Sequence, residues 1–235
     1  MAIELSSESL TENGCIVTAE IRNLPQRNAI NPAMAQDLVS LNNGDGGSGG
    51  TIGILRASGP IWCSGADTST LAESDDTLEV YSQLLESMAC SEIFWIAQVH
   101  APVLGLGAAL LATCPIVMAA ESCWVQLPEV GLGIFPGLAL SYLEPAIGAR
   151  ESLRLAIDGE RLSADEARRL GLISRVVDDS SQLQDVTTEF AQRLAVQRLA
   201  PHLRKSWRAH FDTDLIRTRR AILTELMAQS LQSRR

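Results

Sequence analysis

Between residues 101 and 120 the chain carries no charged side chain, and a run of that kind has to leave water in any fold the sequence adopts. Its length is about what a helix needs to cross a bilayer. Its detail argues for something else. Gly105, Gly107 and Pro115 interrupt it, many of its residues are small, and Thr113 and Cys114 fall inside it. Glycine and proline punctuate helices, so the run reads as two short buried elements of a water-soluble core: a helix over 107–113 and a strand over 116–120.

The flanks of this run set the fold class. Residues 16–21 are β-branched with partial alternation, as in a strand, and Asn31-Pro32 then supplies an N-cap and a first-turn proline for a helix through Leu41. The glycine tract 43–50 reads as a surface loop leading to a strand over 51–55; it lacks the Lys-Ser/Thr ending of a phosphate-binding loop. A helical stretch over 78–94, short strands over 97–100 and 124–127, a helix over 149–157, a serine-capped helix from Ser163 ended by Gly171, and a strand over 173–177 continue the alternation. The expected class is α/β. Beyond Asp178 the pattern is helical to the end, with an arginine-rich last segment, so 1–180 is predicted to form the core and 181–235 a helical appendage.

Charge and cysteine usage exclude several functions. A net charge of −9 argues against a nucleic-acid binder. Cys15, Cys63, Cys90, Cys114 and Cys123 are scattered, with no metal-ligand spacing, as expected for reduced thiols in a cytoplasmic protein. The start, Met1-Ala-Ile-Glu-Leu, predicts no signal peptide.

Five segments carry the chemistry: Leu24-Pro-Gln-Arg-Asn-Ala-Ile30, Cys63-Ser-Gly-Ala-Asp67, Leu104-Gly-Leu-Gly-Ala-Ala109, Leu127-Pro-Glu-Val-Gly-Leu-Gly133 with Pro136-Gly137, and Ala164-Asp-Glu-Ala-Arg-Arg-Leu-Gly-Leu172. Each is weak alone. In this order and spacing they resemble the crotonase (enoyl-CoA hydratase/isomerase) family. The resemblance implies a spiral of ββα units with a helical C-terminal region, a trimer or dimer of trimers, and an acyl-CoA thioester as substrate, and it implies no metal or redox cofactor. Chemistry beside a thioester develops an enolate oxygen, which fixed backbone N–H donors stabilise without titrating; by resemblance these are the N–H groups of Ala66 and Leu106. Gly105 and Gly107 allow close approach of the backbone. The resemblance further assigns Asn28, Ala29, Ser64, Gly65, Asp67, Ala109 and Pro128 to the substrate site.

Glu129 lies in an apolar neighbourhood, where partial desolvation raises a carboxyl group toward the range useful to a base. The resemblance places a catalytic glutamate there. Hydratases of the family carry a second glutamate where this chain has Ala109, whereas an isomerase moving a double bond from position 3 to position 2 works with one base. The residues therefore favour an enoyl-CoA isomerase. A hydratase or other lyase, and a non-catalytic acyl-CoA-binding subunit, stay open as alternatives. Two other readings are weaker. The 105–110 turn lacks the third glycine of a dinucleotide fold, and Cys63 and Ser64 lack a His/Asp pair that would activate a nucleophile. The C-terminal cations, Arg204, Lys205 and Arg208 among them, read mainly as a solvated basic helix face.

Overall fold

The alternation of strand and helix resolves into two layers of strand wound as a spiral. The computed structural model describes residues 2–11, 14–45, 52–71, 76–197, 200–211 and 214–232. At one edge β1 (Ala2–Thr11) pairs antiparallel with β2 (Gly14–Arg22). The sequence pattern did not announce β1. Its composition is mostly polar, which an edge strand with a single ladder tolerates. Next comes α1 (Pro32–Ser40), capped by the Asn31 side chain, which accepts from the Met34 N–H at 2.9 Å. A wider turn over Leu41–Asp45 follows it; most of the glycine tract lies outside the described residues.

β3 (Ile52–Ala57) runs parallel to β2, and Gly53 sits opposite Trp95 of β4 (Phe94–Val99), where any Cβ would overlap the indole. Between these strands lie α2 (Thr68–Leu71) and α3 (Asp76–Ala89). Here the expectation of a helix to residue 94 is corrected: α3 ends at Ala89, and Phe94-Trp-Ile belongs to a strand. A parallel strand buried on both faces has no alternation to separate it from a buried helix.

The uncharged run contains the two elements that the sequence indicates, the fully buried α4 (Leu106–Thr113) and β6 (Ile116–Ala120), preceded by a two-residue strand that it did not, β5 (Val103–Leu104). After β7 (Trp124–Gln126) come α5 (Gly137–Ile147), α6 (Ala149–Asp158), β8 (Leu162–Ser163), α7 (Ala164–Leu170) and β9 (Arg175–Val177). Ser163 and Glu166 form a reciprocal capping box at the start of α7, and Gly171 closes it in the left-handed conformation. The chain then runs through α8 (Leu183–Gln197), α9 (Ala200–Phe211) and α10 (Asp214–Gln232). Among the described residues no helix is long and apolar enough to cross a membrane.

The large sheet has the order β1-β2-β3-β4-β6-β9 and is parallel from β2 onward. The second layer is the β5-β7-β8 sheet, extended by parallel bridges between Cys63 and Val103 and between Ile30 and Ala66. Each turn of the chain thus leaves one strand in the first layer and one short segment in the second, which is a spiral of ββα units. The indoles of Trp62 and Trp95 are fully buried and donate to Gln98 O and Asn42 Oδ1, each at 2.8 Å, so burial leaves no indole N–H unpaired.

The C-terminal helices lie against this core. Ala191 and Leu194 of α8 join Ile16, Ile54 and Ile96 in one apolar cluster. Along α10, Leu223 and Met227 approach α5 so closely that a side chain at Gly137 would overlap the Leu223 carbonyl.

Candidate active site

The second strand layer brings three loops side by side. Leu104 N–H donates to Cys63 O and Trp62 N–H to Pro102 O, each at 2.9 Å, so the turns that leave these segments, 64–66 and 105–106, emerge together. Gly105 N–H donates to Gln126 O at 3.0 Å, and the loop leaving Gln126 reaches Glu129 within three residues. A Cβ on Gly65 would lie 3.4 Å from Leu104 O, 3.6 Å from Leu106 N and 3.8 Å from Gly105 Cα. Gly65 and Gly105 have φ of 105° and 54°, values that a Cβ disfavours. The close approach of the two turns depends on both glycines.

Two backbone N–H groups at this junction stay available. Around Ala66, Ile30 N–H donates to Gly65 O and Asp67 N–H donates to Ile30 O, each at 2.9 Å. A parallel bridge of this kind uses the neighbours of Ala66 and leaves its own N–H facing away from Ile30. Leu106 is the first residue of α4, where an N–H has no intrahelical acceptor and lies at the positive end of the helix dipole. Among the described residues neither N–H has a hydrogen-bond partner.

Glu129 completes the group. It opens a single 3-10 turn over Val130–Leu132, and its carbonyl accepts from the Leu132 and Ile134 N–H groups at 2.9 Å. Its Oε2 is buried with no hydrogen-bond partner. Burial pushes the carboxyl up to about 7, an effect that its own backbone N–H partly offsets. An acid held in that range exchanges protons readily near neutral pH.

A cavity of about 70 Å³ joins these features; Ser64, Gly65, Ala66, Gly105, Leu106, Pro128 and Glu129 all line it. The other residues singled out by sequence lie around it. Asn28 is buried at φ 58°, and its side chain is spent on backbone groups: Nδ2 donates to Ser58 O and Ile61 O at 2.7 Å, and Oδ1 accepts from Asn23 N–H at 2.8 Å. Ala29 is buried beside it, its carbonyl accepting from Asn23 Nδ2 at 2.8 Å. Asp67 accepts from the Ser69 N–H at 3.0 Å and hydroxyl at 2.6 Å, bracing the start of α2. Gly107 faces Cys63 and Val103, where a Cβ would come within 2.9 Å of both. Ala109 is fully buried in α4 and is not among the cavity-lining residues.

Cys63 is a packing residue: burial pushes its thiol up to about 12, which leaves no thiolate at neutral pH. His100 Nε2 is bonded to Gly59 O at 2.7 Å and His210 Nε2 to Pro145 O at 3.2 Å. Among the described residues no group of three or more His, Cys, Asp or Glu side chains is placed to hold a metal ion.

Sequence reasoning missed much of the apolar wall, including Tyr81, Leu132, Leu138, Ala139 and Met227. Tyr81 and Leu138 sit on helix faces indistinguishable from ordinary core. Met227 carries no local signal, because it reaches the cavity only through the contact of α10 with α5.

A family model described as enoyl-CoA hydratase/isomerase matches residues 11–234. The human mitochondrial enoyl-CoA hydratase domain-containing protein 3 is 30% identical over 186 residues, covering 74% of this chain and 60% of that protein. Its crystal structure superposes with a TM-score of 0.78 at 24% identity, over 97% of this chain and 90% of that one. An enoyl-CoA isomerase/hydratase of Mycosarcoma maydis, fer4, is 34% identical over 148 residues, 60% of this chain and 54% of that protein. A probable enoyl-CoA hydratase of Bacillus subtilis is 31% identical over 199 residues, 81% of this chain and 77% of that protein. The match thus spans little more than half the length of the human and fungal proteins.

Proposed function

The chain belongs to the enoyl-CoA hydratase/isomerase family, and from that premise we propose that it is an enoyl-CoA isomerase converting 3-enoyl-CoA to 2-enoyl-CoA with Glu129 as its single base. The observation that carries this reading is the cavity itself: Glu129 is the one carboxylate among the described residues lining it, beside the unpaired N–H groups of Ala66 and Leu106. The thioester carbonyl accepts from those two N–H groups. Glu129, as the carboxylate, takes a proton from C2, and the electrons of the broken C–H bond delocalise through the double bond and carbonyl as a dienolate. The backbone donors hold the developing negative oxygen, in a site that excludes most water and needs no reorganisation. Glu129 then returns the proton at C4. The double bond moves to position 2 and the carboxylate is regenerated.

A second reading, water addition to a 2-enoyl-CoA, is favoured by the hydratase name of the Bacillus subtilis relative. Against it, Ala109 offers no carboxyl where hydratases of the family carry their second glutamate. A third is acyl-CoA binding without turnover. The purified protein incubated with a 3-enoyl-CoA and, separately, with a 2-enoyl-CoA separates the three. Conjugation absorbance gained from the first supports the isomerase, and absorbance lost from the second supports the hydratase. Binding without either change supports the third.

The exposed Leu203, Ile222 and Leu226 of the C-terminal helices support assembly as a trimer or a dimer of trimers. The five free cysteines support a reducing, cytoplasmic setting. Within the same proposal 1–180 is the catalytic core, and 181–235 supplies the oligomer contacts and part of the cavity wall.

A further inference from the structure

The cavity has an open side and a closed one. Leu132 is 50% exposed, and Thr68 is also exposed, so the mouth lies on their side. Tyr81, Leu138, Ala139 and Met227 are 0%, 3%, 2% and 6% exposed and form the floor. Three of these are fixed. The Tyr81 hydroxyl donates to Ile30 O at 2.7 Å, and Leu138 and Ala139 sit in the first turns of α5, which the overlap at Gly137 locks against α10. Met227 enters from α10, itself tied down by the Phe135 N–H donating to Ser230 Oγ at 3.0 Å.

One turn further along the same two helices the interior changes character. Tyr142 follows Leu138 by four residues on α5, and Thr224 precedes Met227 by three on α10, spacings that keep each pair on one helix face. Tyr142 Oη, Thr224 Oγ1 and Arg220 Nε are buried without hydrogen-bond partners, and the Arg220 guanidinium lies 4.7 Å from the Tyr142 ring centroid. Among the described residues Met227 is the one α10 residue that lines the cavity, and Tyr142, Thr224 and Arg220 lie outside its lining.

We propose that Met227 is a specificity-determining end-stop, and that the site takes short acyl thioesters of about four carbons, the thioester carbon and about three beyond it. This rests on the acyl-CoA reading above. A cavity near 150 Å³ accommodates benzene, roughly 25 Å³ per carbon, so about 70 Å³ leaves space for a short tail only. Replacing methionine by alanine removes three heavy atoms from the floor, room for about three more carbons on the same scale. Each methylene transferred from water into an apolar pocket strengthens binding roughly fourfold.

The test is calorimetric titration of the purified protein with CoA and with butanoyl-, hexanoyl-, octanoyl- and decanoyl-CoA, saturated esters whose binding requires no turnover. The wild type is expected to bind decanoyl-CoA no more tightly than butanoyl-CoA. Met227→Ala should raise the octanoyl-to-butanoyl affinity ratio at least about tenfold, whereas Met227→Leu, which conserves volume, should leave it within about threefold. Ala139→Leu narrows the same floor and should lower the hexanoyl-to-butanoyl ratio, which keeps the test valid if Met227→Ala does not fold. A wild-type affinity that climbs with every added methylene to decanoyl would overturn the end-stop while leaving the acyl-CoA reading intact. So would an unchanged ratio in folded Met227→Ala. Absence of binding to every acyl-CoA overturns both.

Discussion

A methyl group on Gly105 would lie 2.6 Å from Oε1 of Glu129: the carboxylate of one loop occupies the space that the missing side chain of the neighbouring turn leaves free. Gly105 also stands at φ 54° and ψ −121°, a conformation that costs other residues about 1–3 kcal/mol. The glycine therefore serves the turn and the carboxylate together.

Gly105→Ala is expected to lower kcat/KM for 3-enoyl-CoA by about 100-fold, the scale of a 1 Å misplacement of a reacting group, and to cost about 1–3 kcal/mol of stability. Steady-state kinetics alongside denaturant unfolding check both. A variant destabilised by that amount yet fully active would mean that the contact does not position Glu129.

The backbone donor at Leu106 can be removed with little disturbance to the helix, because Leu106 is the first residue of α4, where proline is tolerated. Leu106→Ala and Leu106→Pro both lose the leucine side chain, and only the second loses the N–H. Removing one oxyanion donor typically costs 100- to 1000-fold in kcat, so Leu106→Pro should turn over at least about 100-fold more slowly than Leu106→Ala. Equal rates in the two folded variants would assign the effect of Leu106 to its side chain.

Glu129 couples activity and stability to pH in opposite directions. The base must be ionised, so turnover should rise with pH through about 7 and level off above it. Folding, however, favours the protonated form. A carboxyl raised from about 4.5 to about 7 on folding imposes no penalty below the unfolded value. The penalty grows as pH rises between the two values and reaches about 3 kcal/mol above the folded one. Glu129→Gln should therefore be more stable than the wild type at pH 8 and show no such gain at pH 4. Denaturant unfolding at the two values checks this; a gain of equal size at both would indicate that burial does not hold the proton.

Gly137→Ala places a methyl group into the Leu223 carbonyl. Overpacking of this kind costs about 1–3 kcal/mol, and here α10 absorbs it by moving away from α5 and withdrawing Met227 from the cavity floor. The expected result is a lower unfolding midpoint with increased exchange of α10 amides. Unchanged exchange in α10 would contradict the proposed docking.

The parts legible in sequence are those with local causes. Asn31-Pro32 and Ser163 announce helix starts because their side chains and ring geometry act within three residues. Glu129 stands out because its neighbours are apolar, and the 105–107 turn because its glycines interrupt an uncharged run. What escaped had distant causes. Phe94-Trp-Ile is apolar on every side and fits helix or strand until its parallel partners, β3 and β6, are known. β1 is polar and owes its strand to β2. Met227 looks like any helix methionine until the close approach at Gly137 brings α10 to the cavity. Ala109 marks the same limit: its position on α4 is read correctly from sequence, but only the structure shows it turned into the core and absent from the cavity wall.

The central claim, one buried carboxylate performing both proton transfers, is tested most directly by the turnover of a 3-enoyl-CoA by wild type and Glu129→Gln. The substitution keeps the shape of the side chain and removes the base. The account predicts that the wild type generates the conjugated 2-enoyl-CoA, that kcat falls by at least about 100-fold in the folded variant, and that affinity for the thioester changes little. A folded Glu129→Gln protein turning over at close to the wild-type rate would contradict it.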